Sequence, residues 1–597
     1  MESVDQVAHR GMGAIVHQQG VAFRVWAPHA HRVSVVGPFN DWQAGDAPME
    51  SEGNGYWYAD LPNLKVGDQY KYAVVNGDRE FLRNDPYARE VTNSVGDSVI
   101  VDTDFDWDDD HFVMADWNRM VIYELHVGTF NRASADSPGT FDDVRNKLEY
   151  LQWLGVNAIQ IMPSAEFAGD ISWGYNPAHI FAVESAYGGP RALKQLVKDA
   201  HRHGIAVILD VVYNHFGPSD LDLWQFDGWS ENGKGGIYFY NDWRSDTPWG
   251  DTRPDYGRGE VRQFIFDNAM MWLEEYHMDG LRYDMTLYMR SVDGNEERAI
   301  PEGWSLAQWI NREVRNRFPR KITIAEDLQT NAAITKPEEW GGANFASQWD
   351  EAFVHPIRQA VIVPDDEHRN MDSVRQAISH RYNHDAFERV IYSESHDEVA
   401  NGKQRVPSEI DSDSESWFAR KRSTLAAVLV FTSPGIPMIF QGQEFLRDDW
   451  FDDTKPIDWS EAGRHDRILQ LYRDLTRLRL NRDETTAGLT GQHVDVHHTN
   501  HADRVIAFHR RLEGGPRDEV LVVANFSNTR WNDYRVGFPS PGIWKVRFDS
   551  GASVYGADFE GIGVSEVATD DEPRDGCPHS ASIPLAPYSA VILSQDE

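Results

Sequence analysis

The chain predicts a multidomain α/β protein, a parallel (β/α)8 barrel over residues 119–486 with one β-sandwich before it and another after it. Three observations carry this reading. At 597 residues the chain is several times the size of a single domain, so two to four domains with sizeable cores are expected. From Met120 onward, short apolar runs alternate with amphipathic segments, the pattern of βα units around a parallel sheet. On either side that pattern gives way to a period of two, in short runs broken by Gly, Asn, Asp and Pro, as in a sandwich.

Taken in order, residues 1–105 form the first sandwich, with the alternating runs VAFRVWA, RVSVVG, GYWYADL and QYKYAVV. The acidic stretch DTDFDWDDD at 102–110 opens a linker that occupies 106–118. Eight strand candidates follow, at 120–127, 158–163, 206–212, 280–284, 322–327, 345–350, 389–394 and 437–442, the number a closed barrel needs. Helical segments such as FDDVRNKLEYLQWLG and PRALKQLVKDAHRHG lie between early strands, each ending near a Gly suited to a helix C-terminus. Between the third and fourth strands, residues 216–260 are rich in Trp, Gly and Asp and read as an inserted loop region overhanging one face of the barrel. From 487 to 597 alternation returns in RVIAFHRRL, EVLVVANFSN, GIWKVRFDS and SAVILSQ, the second sandwich.

Composition narrows the partners. A formal charge of -38 repels phosphate backbones and anionic lipid, so nucleic acid and membranes are not expected partners. The single cysteine, Cys577, excludes a disulfide framework within the chain and a cysteine zinc site. With no signal-peptide pattern and no run of apolar residues long enough to span a bilayer, a cytoplasmic protein is expected. The 21 tryptophans are more than a core requires and suit the C–H faces of sugar rings.

In a barrel, polar residues at the C-terminal ends of the strands converge on one mouth. The third strand ends in DVVYNH (Asp210, Asn214, His215), the fourth in GLRYD (Arg282, Asp284), the fifth in AED (Glu326, Asp327) and the seventh in SHDE (His396, Asp397). Any one Asp at a strand end is most simply a cap or an ion-pair partner. Four polar clusters at one mouth are better read as a site. Retaining glycoside cleavage needs two carboxyl groups about 5–5.5 Å apart, one a nucleophile and one protonated to release the leaving oxygen. Arg282, two residues before Asp284, faces the same way and is expected to hold that carboxylate ionised, while repulsion from Asp284 and Asp397 is expected to keep Glu326 protonated.

At these residues the chain resembles the α-amylase superfamily, glycoside hydrolase family 13, with DVVYNH, GLRYD, AED and SHD in family order. The resemblance implies Asp284 as nucleophile, Glu326 as acid/base and Asp397 as transition-state stabiliser. It places His215, Arg282 and His396 around the same sugar, and Asp210 as a structural Asp. In SWGYNPAHIFAVESAYGGP, Trp173 and Tyr175 fall where the family stacks an aromatic on the sugar, the other reading being core aromatics. Gln441 and Glu444, in GIPMIFQGQEF, are either mouth groups or loop anchors. Trp224, Trp229, Trp243 and Trp249 of the insertion are read mostly as packing. FRVWAPHAHRVSVVGPFNDW resembles a family 48 carbohydrate-binding module, and SHDEVANGK is similar to the matching segment of 1,4-α-glucan branching enzymes. VIYELHVGTF, DVVYNHFGPSD and AYGGP are similar to maltooligosyl trehalose trehalohydrolases. The resemblance therefore implies an α-glucan substrate, with branching by glycosyl transfer first, trehalohydrolase-like or other amylase-type hydrolysis second, and non-catalytic glucan binding third. It requires no cofactor, and no metal ligand set is identified.

Overall fold

The computed structural model describes residues 9–108, 110–132, 134 and 137–597, so residues 1–8 of the first sandwich and Asp109 of the linker lie outside the described residues. The N-terminal unit has two antiparallel sheets. One runs, in spatial order, Gly13–His17, Gly20–Trp26, Tyr56–Pro62, Glu50–Gly53, and the other is built on Arg32–Val36, Gln69–Asn76 and Arg79–Arg83. Alternate residues face inward as the period of two requires: Val21, Phe23 and Val25 pack against Val33, Val35, Tyr72 and Val74.

All eight expected barrel strands are present, at Ile122–Leu125, Ala158–Ile161, Ala206–Val211, Gly280–Tyr283, Ile322–Ala325, Ser347–Trp349, Arg389–Ile391 and Ile436–Phe440. They pair in chain order, all parallel, and the eighth closes on the first at Met438 and Ile122. Helix Gly189–Arg202 starts with Pro190 in its first turn and buries Leu193, Leu196, Val197 and Ala200 on one face, as its sequence spacing requires. Helix Trp417–Thr432 is buried on nearly every side because the barrel flanks it on one side and the C-terminal sheet on the other. The C-terminal unit has a six-stranded antiparallel sheet and a two-stranded one, Trp531–Phe538 with His579–Leu585, with a shared apolar core. Among the described residues no helix is long and apolar enough to cross a membrane.

The N-terminal sandwich grips the barrel through the insertion. The Arg83 guanidinium donates to three consecutive carbonyls there, those of Trp224, Gln225 and Phe226, at 3.0–3.3 Å. Arg79 donates to the Gly228 carbonyl at 2.7 Å, Asp222 accepts from the Asn84 amide at 2.7 Å, and Asp227 accepts from the His29 amide at 2.9 Å. The His29 ring stacks on Trp229 at 4.6 Å. The insertion has little regular structure of its own to satisfy these carbonyls, so the sandwich supplies their donors. Removing one side chain that serves several half-buried acceptors leaves them unpaired, so Arg83→Ala should cost about 1–3 kcal/mol in chemical denaturation. It should also speed amide exchange selectively in residues 222–238. Unchanged exchange there would show that the insertion holds its shape without the sandwich.

Candidate active site

The barrel strands themselves carry the site. Their inward positions are apolar at the base and polar at the top: Ile122 then Glu124, Ala158 then Gln160, Ala206 and Ile208 then Asp210, Ile322 and Ile324 then Glu326. On the fourth strand Gly280 is followed by Arg282 and then Asp284. Register sets Asp210 beside Arg282 on neighbouring strands, and Arg282 beside Ile324, one pleat below Glu326. Asp210, Arg282, Asp284 and Glu326 therefore follow from a period of two in strands of known direction, whereas His215, His396 and Asp397 come from the loops that follow the third and seventh strands.

Arg282 is fully buried and is shared by three carboxyl groups. Its Nη1 donates to Asp210 Oδ2 at 2.6 Å and to Asp284 Oδ1 at 3.3 Å, while its Nη2 lies 2.7 Å from Glu326 Oε2. The last contact is an ion pair without hydrogen-bond alignment. The guanidinium is further held over the Trp349 ring at 4.3 Å, and Tyr175 OH donates to the same Asp210 oxygen at 2.6 Å. Asp284 takes a second donor, Asn214 Nδ2, at 2.7 Å. Glu326 accepts from the Met285 amide at 3.0 Å. Met285, next to Asp284, has a left-handed backbone with φ 35°, a costly conformation for a side-chain-bearing residue. That turn aims its amide at Glu326 Oε2.

On the opposite side of the site, His396 bridges two carboxylates. Its Nδ1 is 2.7 Å from Glu124 Oε1 and its Nε2 is 3.3 Å from Asp397 Oδ2. Burial opposes the His396 charge, but Asp397 and Glu124 outweigh it and hold the imidazole protonated well above its ordinary range. Asp397, at 40% side-chain exposure, opens onto the cleft. Burial of its inner edge opposes ionisation, but His396, with help from Arg282, pulls its pKa down to about 2. Glu326 behaves oppositely. Burial is the main reason its pKa stands well above the usual carboxylate range; Arg282 opposes the rise, and Asp284 and Asp397 add to it. Repulsion, the cause expected from sequence, is thus secondary to desolvation. Asp284 departs from expectation more plainly: burial raises its pKa, and Arg282, drawn closer to Asp210 and Glu326, only limits the rise.

Of these groups Asp284, Met285, His396 and Asp397 line a cleft of about 520 Å³, together with Trp173, Tyr175, Asn176, Trp249 and Asn401, while Arg282, Glu326 and Glu124 are buried. The Tyr175 ring stacks on His396 at 5.1 Å, and Trp173 packs edge-on to His396 at 5.8 Å. Gly174 between them is required: its φ is +92°, and a Cβ there would lie 2.2 Å from the Pro163 carbonyl oxygen. His215 is brought to the cluster by its bond to Asn214 and by stacking on Trp249 at 4.3 Å, and burial lowers its pKa to about 3. Asp210, Asn214, His215, Arg282, Asp284, Glu326, His396, Asp397, Trp173 and Tyr175 are thus brought together, while Asp327 turns away to Arg290 and Thr286. Gln441 and Glu444 are not at the mouth. Gln441 binds the His126 amide and Thr129, and Glu444 accepts from Tyr123 and Tyr150, so both anchor loops. Of the insertion tryptophans, Trp224 and Trp229 pack inside, Trp243 is 51% exposed and Trp249 lines the cleft. Glu124 was not anticipated, although its place two residues after Ile122 on the first strand marks it as inward. Among the described residues, the one group of three donors close enough to share a metal is His9, His17 and Asp60, on the N-terminal sandwich rather than at the cleft.

Comparison with known proteins agrees along the whole chain. The alpha amylase catalytic domain family matches residues 124–220 and 251–497, leaving out most of the insertion. Carbohydrate-binding module 48 (isoamylase N-terminal domain) matches 11–88, and the alpha amylase C-terminal all-beta domain matches 496–596. The chain is similar to proteins named 1,4-alpha-glucan branching enzyme GlgB. That of Rhodopseudomonas palustris is 31% identical, with 100% of this chain and 85% of the relative covered. That of Aquifex aeolicus is 30% identical, with 96% and 93% covered. Among solved structures, a putative alpha amylase from Salmonella typhimurium superposes with a TM-score of 0.75 at 22% identity, covering 98% of this chain and 100% of the other. A pullulanase from Anoxybacillus complexed with maltotriose gives 0.74 at 22% identity, covering 98% and 85%, so both share the fold. By the match of its catalytic domain and of its full length, the chain belongs to the alpha-amylase family, glycoside hydrolase family 13.

Proposed function

We propose that this chain is a 1,4-α-glucan branching enzyme working by double displacement through a covalent glycosyl-enzyme. The observation that carries the chemistry is one buried guanidinium shared by Asp284 and Glu326 at the floor of an open cleft. Full-length similarity to proteins named as branching enzymes supports transfer over hydrolysis. Asp284 attacks C1 of the donor sugar while Glu326 gives its proton to the glycosidic oxygen, releasing the reducing-side chain with a free 4-hydroxyl. In the second step the 6-hydroxyl of an acceptor glucan attacks C1, Glu326 takes its proton and Asp284 leaves as carboxylate. Asp397, held anionic by His396, grips sugar hydroxyls as positive charge develops at C1. His215 and Tyr175 border the same sugar, with Trp173 flanking it, and Asp210 fixes Arg282. The charge pattern supports the division of labour: burial holds the Glu326 pKa well above the usual carboxylate range, as a proton donor requires, while His396 holds that of Asp397 down to about 2. A single cysteine, with no partner in the chain for a disulfide, supports a reducing, cytoplasmic setting.

Incubation with amylose tests transfer directly. Branch linkages should accumulate, counted as new chain ends after enzymatic debranching, without a matching rise in reducing ends before it. Reducing ends rising in step with chain loss, or release of glucose or trehalose, would assign hydrolysis to the same site.

Asp284→Asn should lower kcat on the order of 10⁴-fold or more while leaving glucan binding, since shape and most hydrogen bonding persist. Glu326→Gln should lose about 10²–10⁴-fold on glucan. On an α-maltosyl fluoride, whose leaving group needs little protonation, glycosylation should survive. An equal loss on both substrates would remove Glu326 from the acid's role.

Arg282 lowers the pKa of both Asp284 and Glu326, so its loss must raise both. The acidic limb of kcat/KM reports the nucleophile losing its proton and the basic limb the acid losing its own. Arg282→Leu should therefore shift the whole bell toward alkaline pH, with lower activity because buried carboxyl groups lose their counter-charge. Arg282→Lys should restore the limbs in part, keeping charge but not the planar fork. An unmoved profile in the Leu variant would make Arg282 a purely structural residue.

A further inference from the structure

The barrel has a second cavity at its other end. Met114–Asn118, Pro319–Arg320 and Asp385–Phe387 precede the first, fifth and seventh strands, so they lie at the base, opposite the catalytic mouth. With Thr490, Gln492 and Leu512 of the C-terminal part they enclose about 320 Å³, at the small end of ligand sites. Its inner wall is the apolar plug of the barrel, where Met114 and Phe387 are buried and Trp117 is half-exposed. Its rim is rigid. Asn118 donates to the Thr490 carbonyl at 3.0 Å, Arg479 donates to the Asn118 carbonyl at 2.6 Å, and Gln492 donates to Asp385 at 2.6 Å. Two charged side chains at this rim, Arg320 and Asp116, are exposed and make no side-chain hydrogen bond or ion pair among the described residues. Leu512 closes the rim at 42% exposure.

We infer that this base cavity is a second saccharide site, which holds an α-glucan segment away from the cleft. The chemistry selects the ligand. An indole and alkyl wall suits a molecule with an apolar face, and an unpaired cation and an unpaired anion at one rim suit a neutral molecule bearing many hydroxyl groups. A phosphorylated ligand would meet Asp116 and Asp385 as well as Arg320, and a purely apolar one would bury both free charges without partners. A sugar ring places C–H groups on Trp117 and hydroxyls toward Arg320 and Asp116. Because the cavity and Asp284 are at opposite ends of the barrel, the segment held is not the one being cut. The site raises the local concentration of polymer, and so acts through avidity. This rests on α-glucan being the substrate.

The test uses the full chain with its cleft intact. Arg320→Ala, a change at an exposed and unpaired residue, and Trp117→Ala are each compared with the parent by retardation in native gels containing glycogen and by fluoride release from α-maltosyl fluoride. The apparent dissociation constant for glycogen should rise about three- to tenfold, with fluoride release within about twofold of the parent. Retardation equal to the parent's in Arg320→Ala would overturn the site and leave a solvent-filled seam, whatever Trp117→Ala does to the barrel base. Loss of retardation and of fluoride release in proportion would overturn it too, since the effect would then lie in the cleft. A parent that glycogen does not retard would overturn both this site and the branching reading.

Discussion

A single buried guanidinium organises the molecule's chemistry. Arg282 has no access to water and makes up for its lost hydration with Asp210, Asp284 and Glu326. Breaking such a buried pair from one side typically costs about 3–5 kcal/mol, so the arrangement is tightly determined: three strands must hold their register for the charges to meet. Asp210 takes the closest aligned contact and Tyr175 fixes it from above. Asp284 takes a longer one, which leaves its outer oxygen to Asn214 and its face to the cleft. One cation cannot neutralise three carboxylates in a dry site: burial raises the pKa of all three, that of Asp210 to about 7 and that of Glu326 well above the usual carboxylate range.

A second cation, His396, plays the matching part across the cleft. Glu124 beneath it and Asp397 beside it keep it charged, and it in turn keeps Asp397 ionised. The two clusters meet through Tyr175, whose ring stacks on His396 while its hydroxyl binds Asp210. The site therefore separates its carboxyl groups by environment: one is protonated in a dry pocket, and one is anionic at an open edge.

The surrounding architecture follows from where backbone polar groups find partners. The insertion brings Trp249 and the region beside His215 to the cleft, but its own carbonyls are satisfied by Arg79 and Arg83 of the N-terminal sandwich. A module that reads in sequence as an appended binder is thus also a brace for one wall of the cleft. The C-terminal sheet braces the opposite end, where Arg510 donates to the carbonyl of Thr432, the last residue of the barrel helix Trp417–Thr432.

The sequence by itself determined the eight strands, their order and the polar residues at their ends. A period of two and a strand's direction are local properties, and together they turn Asp210, Arg282, Asp284 and Glu326 inward at the same end of the barrel without knowledge of any distant contact. What it did not determine depends on distance in space. Glu124 reaches His396 across 272 positions of sequence, and nothing within either segment records that contact. Gln441 and Glu444 carry the same side-chain chemistry whether they face a mouth or a helix, and only packing against His126, Tyr123 and Tyr150 decided for anchoring. The upward shift of Asp284 was likewise out of reach. Its sign is the balance between burial and a shared charge, and both are set by the closed barrel rather than by the spacing of Arg282 and Asp284 along one strand.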